Sequence, residues 1–201
     1  MNEQQGRMRQ SDWEPPVATS PGEEDEVALV GRVAAGDCVA FEVLYRGYYR
    51  RLTRFIEQLT RKRHLVDEIL DDTMLVVWRK AARYNGHSRV STWIFAIAYN
   101  EVMRAHHRER RADRVPSHPD DGVCVQSLET DYIESEARAM LRDVVNELSV
   151  EHRAVIELTY FHGFGYKEIA AITGSPLNTV KTRMFHARRR LRALLAADTQ
   201  E

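Results

Sequence analysis

The sequence predicts an all-α protein, with two small helical domains joined by a flexible linker. Apolar residues recur at three- and four-residue steps along most of the chain, whereas no segment shows the two-residue period of a strand. Residues 113–132 interrupt this period with prolines, a glycine and several aspartates, which is typical of a linker. Charge divides the chain in the same way: residues 31–115 hold 17 basic and 10 acidic side chains, residues 116–151 hold 2 and 9, and residues 152–201 hold 8 and 4.

Composition narrows the class of protein. The net charge of −1 over 201 residues conceals two positive blocks separated by an acidic one, which indicates two nucleic-acid-binding modules on a tether. Cys38 and Cys124 lie far apart without a paired spacing, as in reduced cytosolic proteins. No apolar run approaches the roughly 20 residues that cross a bilayer, and the N-terminus lacks the apolar core of a signal peptide. We therefore expect a cytoplasmic protein.

The first domain is predicted over residues 25–112, after a disordered leader of polar residues and prolines over 1–24. Gly36 ends a first helix and Asp37 caps a second. A third helix is predicted over Val66–Arg83 and a fourth from about Ser91.

The third helix carries four carboxylates within six positions. Acidic residues in the opening turns suit the helix dipole, but four exceed what capping requires. We interpret them as an exposed patch for a basic partner, with simple solvation as the alternative. The four residues are Asp67, Glu68, Asp71 and Asp72.

A polar turn, an aromatic helix and a basic helix end follow one another after the third helix. Tyr84–Ser88 has the residue types of a turn. Stacking surfaces beside phosphate-binding charge are what single-stranded nucleic acid requires. In the alternative, Trp93 and Tyr99 belong to the core and the arginines are solvated, and the residue pattern does not separate the two.

The second domain is predicted over residues 133–197, and it contains a helix-turn-helix of the winged-helix-like kind without strands. In YKEIAAITGSPLNTVKTRMFHARRRLRALL, Gly174 ends one helix, and Ser175 caps the next with Pro176 at its first position. That next helix has a cationic face with the width and charge to enter a DNA major groove, although a solvated basic face is the alternative. Its apolar stripe consists of Leu177, Val180, Met184, Ala187, Leu191 and Leu194. Two further helices are predicted over Ile133–Leu148 and Val150–His162.

In this order, three stretches resemble the extracytoplasmic-function (ECF) RNA polymerase sigma factors of the sigma-70 family. They are GDCVAFEVLYRGYYRRL, VDEILDDTMLVVWRKAARYNGHSRVSTWIFAIAYN and the helix-turn-helix stretch quoted above. The resemblance implies an alternative sigma factor, which binds core RNA polymerase, directs promoter-specific transcription initiation and is not an enzyme. The first domain would correspond to sigma region 2 and the second to sigma region 4.

The resemblance also assigns expected contacts. The acidic patch Asp67, Glu68, Asp71 and Asp72 would bind polymerase. Region 2 would melt and read the −10 element through Tyr84, Asn85, His87, Ser88 and Asn100. Region 4 would read the −35 element through Lys181, Thr182, Arg183, Phe185, His186 and Arg190.

Core RNA polymerase, promoter DNA and an anti-sigma factor are the implied partners, with no small-molecule substrate, cofactor or metal. Two other functions compete with this one. A helix-turn-helix transcriptional regulator with an N-terminal ligand-sensing helical domain would show a large apolar pocket in that domain. An enzyme or metalloprotein would need a catalytic or metal-binding motif, and the 8 histidines and 2 cysteines form no HExxH or CxxC frame.

Overall fold

The structure, a computed structural model, describes residues 23–112 and 148–198. Within those ranges every regular element is helical, as predicted. None of these helices is long and apolar enough to cross a membrane. The predicted linker, most of the predicted leader and all but the last residue of the predicted helix Ile133–Leu148 lie outside the described residues. The α-helices are α1 (Glu23–Ala34), α2 (Cys38–Thr60), α3 (Val66–Lys80), α4 (Val90–Ala112), α5 (Val150–Tyr160), α6 (Tyr166–Thr173) and α7 (Leu177–Asp198).

Asp37 caps α2 as the sequence predicts. Its carboxylate accepts hydrogen bonds from the main-chain nitrogens of Val39 and Ala40, at 2.9 and 3.0 Å. Arg32, in the last turn of α1, forms an ion pair of 2.7 Å with the same carboxylate. The bond from Ala40 and then that from Arg32 lower the pKa of Asp37. The chain turns between the two helices at Gly36, whose φ of +88° suits a residue without a Cβ.

α2 packs against α1, α3 and α4 and forms the centre of the first group of helices. Its inward positions recur at helical spacing, and Leu44, Leu52 and Ile56 are no more than 2% exposed. Tyr48 lies on the same face and donates a hydrogen bond of 2.8 Å to the Glu26 carboxylate. Burial, and then the charge of Glu26, raise the pKa of Tyr48. The phenol therefore stays protonated and keeps its hydrogen bond to Glu26 on α1.

α3 ends three residues earlier than predicted. The helix stops at Lys80, and Ala81–Arg83 continues as a 3-10 turn before the loop to α4. Tightening of this kind is common at helix ends. The turn places Tyr84 at the start of the loop, with an extended backbone.

The helix-turn-helix forms as predicted, with one difference at the start of α7. Gly174 ends α6 in the left-handed conformation, at φ +60°. α7 begins at Leu177 rather than at Pro176, because the Pro176 carbonyl already accepts from the Val180 nitrogen. The Ser175 hydroxyl therefore does not cap α7: it donates to the Thr173 carbonyl oxygen, 3.4 Å away. The predicted apolar stripe is buried at Val180, Met184 and Ala187.

The two groups of helices pack against each other. α4 contacts α6, and α2 contacts α5. The Phe164 and Phe95 rings lie 5.0 Å apart between the groups, and both side chains are buried. The Arg153 Nη2 atom donates to the Leu59 carbonyl oxygen at the end of α2, 3.1 Å away. The described helices therefore share one continuous core.

Candidate nucleic-acid and protein interfaces

The outward face of α7 carries most of the predicted duplex-reading side chains. Lys181, Thr182, Phe185 and His186 are exposed, and the Phe185 side chain is 56% exposed. An aromatic side chain held at that exposure on a packed helix is available for an apolar contact, such as one with a thymine methyl group. Arg190 is also exposed, one turn further along the helix.

Arg183 lies at the junction of α7 with α5 rather than on the outward face. Its side chain is half-buried, and its Nη1 atom donates to the Ser175 hydroxyl oxygen at 3.0 Å. Partial burial, and then the positive charge of Arg183, lower the pKa of His152 on α5. The position of Arg183 thus supports the orientation of α7, while the neighbouring Lys181 and Thr182 face away.

The predicted −10 loop is closed by its own hydrogen bonds. The Tyr84 hydroxyl donates to the Ser88 carbonyl oxygen at 2.5 Å, and the Tyr84 ring packs on Trp93 with centroids 5.2 Å apart. The Asn85 side-chain oxygen accepts from the His87 nitrogen at 3.1 Å. Tyr84 and Ser88 therefore shape the loop, while the exposed side chains at its tip are those of Asn85 and His87.

Asn100 is exposed on α4 but does not join the loop. Ten residues separate it from the start of the helix, which corresponds to about 15 Å along the axis. Tyr99 beside it is only 5% exposed, and burial raises the pKa of its phenol. Of the two aromatic residues whose role the sequence left open, Tyr99 belongs to the core, and Trp93 is partly buried against it.

The four acidic residues of α3 do not form a uniform patch. Asp67, Glu68 and Asp71 are exposed, and Asp72 is half-buried. The Glu68 carboxylate lies 3.3 Å from the Arg108 guanidinium on α4. Asp71 accepts a hydrogen bond of 3.3 Å from the Tyr45 hydroxyl on α2.

Two aromatic side chains of α2 lie next to this patch and are not fully buried. Tyr45 and Tyr49 lie one turn apart on α2 with ring centroids 5.9 Å apart, and Tyr49 is 45% exposed. Leu75 on α3 is 42% exposed. The exposure of Tyr49 depends on how much of α2 is covered by α3, which the spacing along one helix does not show.

A cleft of about 500 Å³ lies between the −10 loop, the start of α4 and α6. The loop contributes Tyr84, His87 and Ser88, and α6 contributes Lys167 and Glu168. The Glu168 carboxylate reaches across the cleft to Arg89 and Thr92. None of these last three residues was predicted as part of a site, because the contact depends on how the two groups of helices pack.

Potential metal ligands do not converge in the part of the chain that the structure describes. No group of three or more histidine, cysteine, aspartate or glutamate side chains there could hold a metal ion. His106 and His107 are neighbours, but their ring centroids are 6.4 Å apart.

Family models match both groups of helices. The model described as sigma-70 region 2 matches residues 44–112, and the model described as sigma-70, region 4 matches residues 138–191. Together they include the acidic helix, the −10 loop and the helix-turn-helix.

Named relatives match over nearly the whole chain. The ECF RNA polymerase sigma factor SigM of Mycobacterium tuberculosis (strain H37Rv) is 31% identical over 188 residues, which cover 90% of this chain and 93% of SigM. The RNA polymerase sigma-H factor of Pseudomonas aeruginosa is 28% identical over 178 residues, which cover 83% of this chain and 91% of the relative.

Two solved structures share the fold. CnrH, solved in complex with the cytosolic domain of CnrY, matches with a TM-score of 0.64 and 25% identity over 86% of this chain and 98% of CnrH. The sigma factor RpoE of Bartonella quintana, solved in complex with the anti-sigma factor NepR, matches with a TM-score of 0.64 and 28% identity over 79% of this chain and 98% of RpoE.

Proposed function

Because the chain belongs to the ECF RNA polymerase sigma factors, we propose that it is a non-enzymatic cytoplasmic subunit that brings core RNA polymerase to specific promoters. The observation that carries this function is the face of α7. Lys181, Thr182 and Phe185 are exposed side by side on a helix whose other side is buried in the core. A rigid helix that presents cationic and apolar groups together can read a major groove.

Within this function, α7 reads the −35 element. Lys181 can pair with a guanine edge, and the Thr182 methyl group and the Phe185 ring can contact thymine methyl groups. His186 and Arg190 lie where phosphates or base edges would pass, and Arg183 supports the helix from behind. Contacts with phosphates add affinity but carry no sequence information.

The −10 loop and α4 hold the melted strand. Asn85 and His87 at the tip of the loop are the side chains that would contact an unstacked base, and the Tyr84–Ser88 hydrogen bond keeps the loop in shape. Turning a base out of the duplex costs a few kcal/mol, so the loop must return that free energy through contacts. Asn100 would contact the strand further along α4.

Polymerase binds the exposed edge of α3. Asp67 and Asp72 provide charge, and Tyr49 and Leu75 provide neighbouring apolar surface. Charge complementarity at such an edge favours fast and selective association with a basic partner. We also propose an anti-sigma factor as a partner, since the similar RpoE was solved with the anti-sigma factor NepR.

Matches to both sigma regions in one chain favour this function over a ligand-sensing transcriptional regulator. The cleft described above also differs from what such a regulator requires. It lies between the two groups of helices rather than inside the first, and its lining includes Arg89, Lys167 and Glu168.

Transcription from a purified system tests the proposed function. The chain and core polymerase are incubated with a library of genomic fragments, and the 5′ ends of the transcripts are sequenced. We expect discrete start sites that share two upstream elements and that core polymerase alone does not use. Identical start sites with and without the chain would refute the function.

A further inference from the structure

Glu168 on α6 binds two partners with its two carboxylate oxygens. Oε2 accepts from the Gly165 nitrogen at 2.9 Å and so satisfies a main-chain donor at the start of its own helix. Oε1 accepts from the Thr92 hydroxyl at 3.2 Å and lies 3.8 Å from the Arg89 Nη1 atom. The second pair of contacts crosses from the helix-turn-helix to the first group of helices.

Arg89 and Thr92 have the properties of an anion site. They flank the first turn of α4, a helix of 23 residues, and Arg89 occupies the capping position, where its carbonyl oxygen accepts from the Trp93 nitrogen. The positive end of a helix dipole, a guanidinium and a hydroxyl are the groups that bind phosphate in proteins. The Glu168 carboxylate bound there shows that the site accepts an oxyanion.

The site adjoins the loop proposed to receive a base. Arg89 follows Ser88 directly in the chain, and Arg89 and Thr92 line the same cleft as Tyr84 and His87. Its volume of about 500 Å³ is within the range of about 300–1,000 Å³ that small-ligand pockets have. A strand whose base enters the loop would pass its backbone close to Arg89.

The packed arrangement cannot serve both promoter elements at once. About 25 base pairs separate positions −10 and −35, which is about 85 Å of duplex at about 3.4 Å per pair. In the structure α4 contacts α6, so the two DNA-reading groups lie side by side. The predicted linker over residues 113–132 could span about 66 Å if fully extended, which allows the two groups to separate.

We propose that Arg89 and Thr92 form a phosphate site for the melted promoter strand, and that Glu168 occupies this site when the two groups of helices are packed together. The helix-turn-helix then competes with DNA for region 2 until the groups separate. Thr92, which is 3% exposed in the packed arrangement, becomes accessible on separation. The proposal rests on the proposed function, because it takes single-stranded DNA as the ligand.

The rest of the junction has features of a separable contact. Glu157 is buried there, and its Oε2 atom has no hydrogen-bond partner among the described residues. Burying such an atom without a partner is costly, and separation returns it to water. The Glu168 bridge therefore contributes to a contact whose net stability is reduced by Glu157.

The test measures binding of a fluorescein-labelled 20-nucleotide single-stranded DNA of random sequence by anisotropy, without polymerase. Glu168→Gln removes the competing charge, while the glutamine side-chain oxygen can still accept from the Gly165 nitrogen. We expect this variant to bind the DNA about fivefold tighter or more, which is the lower end of common coupling between two sites. Glu42→Gln on α2 makes the same change of net charge at an exposed position that does not line the cleft, and it should bind like the wild type.

The double variant Arg89→Gln, Glu168→Gln then tests the phosphate site itself. We expect it to lose the gain of the single variant and to reduce the slope of log affinity against log salt by about one, as the loss of a phosphate contact does. Circular dichroism confirms that each variant is folded, and the thermal midpoint of Glu168→Gln should stay near that of the wild type.

Two results would overturn the proposal. If folded Glu168→Gln binds no more tightly than Glu42→Gln, the carboxylate does not compete with DNA. If the double variant binds as tightly as Glu168→Gln, Arg89 is not a phosphate ligand. Transcription by the wild type with core polymerase is measured in parallel, so a failure of the proposed function itself would be seen separately.

Discussion

The guanidinium of Arg153 lies against the end of α2 and donates from Nη2 to the carbonyl oxygen of Leu59, 3.1 Å away. Arg153 is 4% exposed, and burial, followed by the nearby charge of Arg61, lowers its pKa to about 10. The residue still carries its charge near neutral pH. It therefore places a cation at the negative end of a long helix and supplies a donor to a carbonyl oxygen that helix geometry leaves without an intrahelical partner.

Replacing Arg153 should loosen the packing of α5 on α2. Arg153→Met keeps much of the side-chain volume but removes the charged hydrogen bond, which contributes about 1.5–3 kcal/mol in comparable cases. We expect a larger radius of gyration by small-angle X-ray scattering and a lower thermal midpoint. Arg50→Met is the control, because Arg50 is exposed on α2, the helix that Arg153 contacts. This variant should change neither the radius of gyration nor the thermal midpoint. If the Arg153→Met protein is as compact and as stable as the wild type, Arg153 does not stabilise the packing of α5 on α2.

Glu157 should contribute a loss of stability as the pH rises from mildly acidic to neutral. Burial is the largest influence on this carboxyl group, and it raises the pKa to about 7 although Arg54 and Arg153 oppose the shift. The unfolded chain loses this proton from about pH 4.5 upward, while the folded protein keeps it until about pH 7. The folded state is therefore destabilised progressively as the pH rises through this window, and the whole cost is present above pH 7.

Glu157→Gln should abolish this part of the pH dependence. Because glutamine does not ionise, the variant should gain stability relative to the wild type at pH 8 by at most about 3 kcal/mol and much less at pH 5, as measured by urea unfolding. His162 makes the opposite contribution below about pH 6.5, because burial lowers its pKa to about 3 in the folded state while the ring of the unfolded chain is protonated there. This contribution is the same in the variant and in the wild type, so it cancels in the difference between them. The same difference between variant and wild type at both pH values would contradict the assignment.

Charge reversal on α3 should weaken binding of core polymerase. Asp72→Lys with Asp67→Lys places two cations where a basic partner is expected, and like charges brought together at an interface cost several kcal/mol. We expect at least a tenfold loss of affinity in a fluorescence binding assay, with unchanged helical content. Glu57→Lys, at an exposed position on α2, is the control. Equal losses for the control and the double variant would remove α3 from the polymerase interface.

Substitutions on α7 should separate base reading from phosphate binding. Lys181→Ala should cost about 1–3 kcal/mol on a selected promoter and much less on unrelated DNA, as expected for a base contact. Arg189→Ala, at an exposed position further along the same helix, should weaken binding to both DNAs to a similar extent. Gel-shift titrations with the holoenzyme measure how much affinity each variant loses on each of the two DNAs. A uniform loss for Lys181→Ala would make that residue a phosphate contact.

The sequence predicted the features that depend on local chemistry. Asp37 caps α2 because its carboxylate meets main-chain nitrogens only two and three residues away, and Gly174 ends α6 because the left-handed conformation suits glycine. The buried stripe of α7 follows from spacing alone. One local prediction was wrong: the Ser175 hydroxyl forms hydrogen bonds with Thr173 and Arg183 instead of capping the next helix.

Features that depend on distant packing could not be predicted in the same way. Phe161 falls within the helix predicted over Val150–His162, yet it lies beyond the end of α5, 47% exposed, with the Arg54 guanidinium 4.4 Å from its ring centroid. The burial of Arg153 and Glu157 results from the contact between α2 and α5, whose partners are far apart in the sequence. The contacts of Glu168 with Thr92 and Arg89 likewise depend on how the two groups of helices pack. From the sequence alone, the more direct prediction for Glu168 is its local contact at the start of α6.

The outward position of Phe185 and Lys181 has a consequence for the order of events at a promoter. Both side chains are exposed in the packed arrangement, so the surface proposed to read the groove is available whether or not the two groups of helices have separated. The cleft beside Arg89 is partly covered until they do. A search along intact double helix can thus precede the capture of an opened strand, and upstream recognition would come first in time.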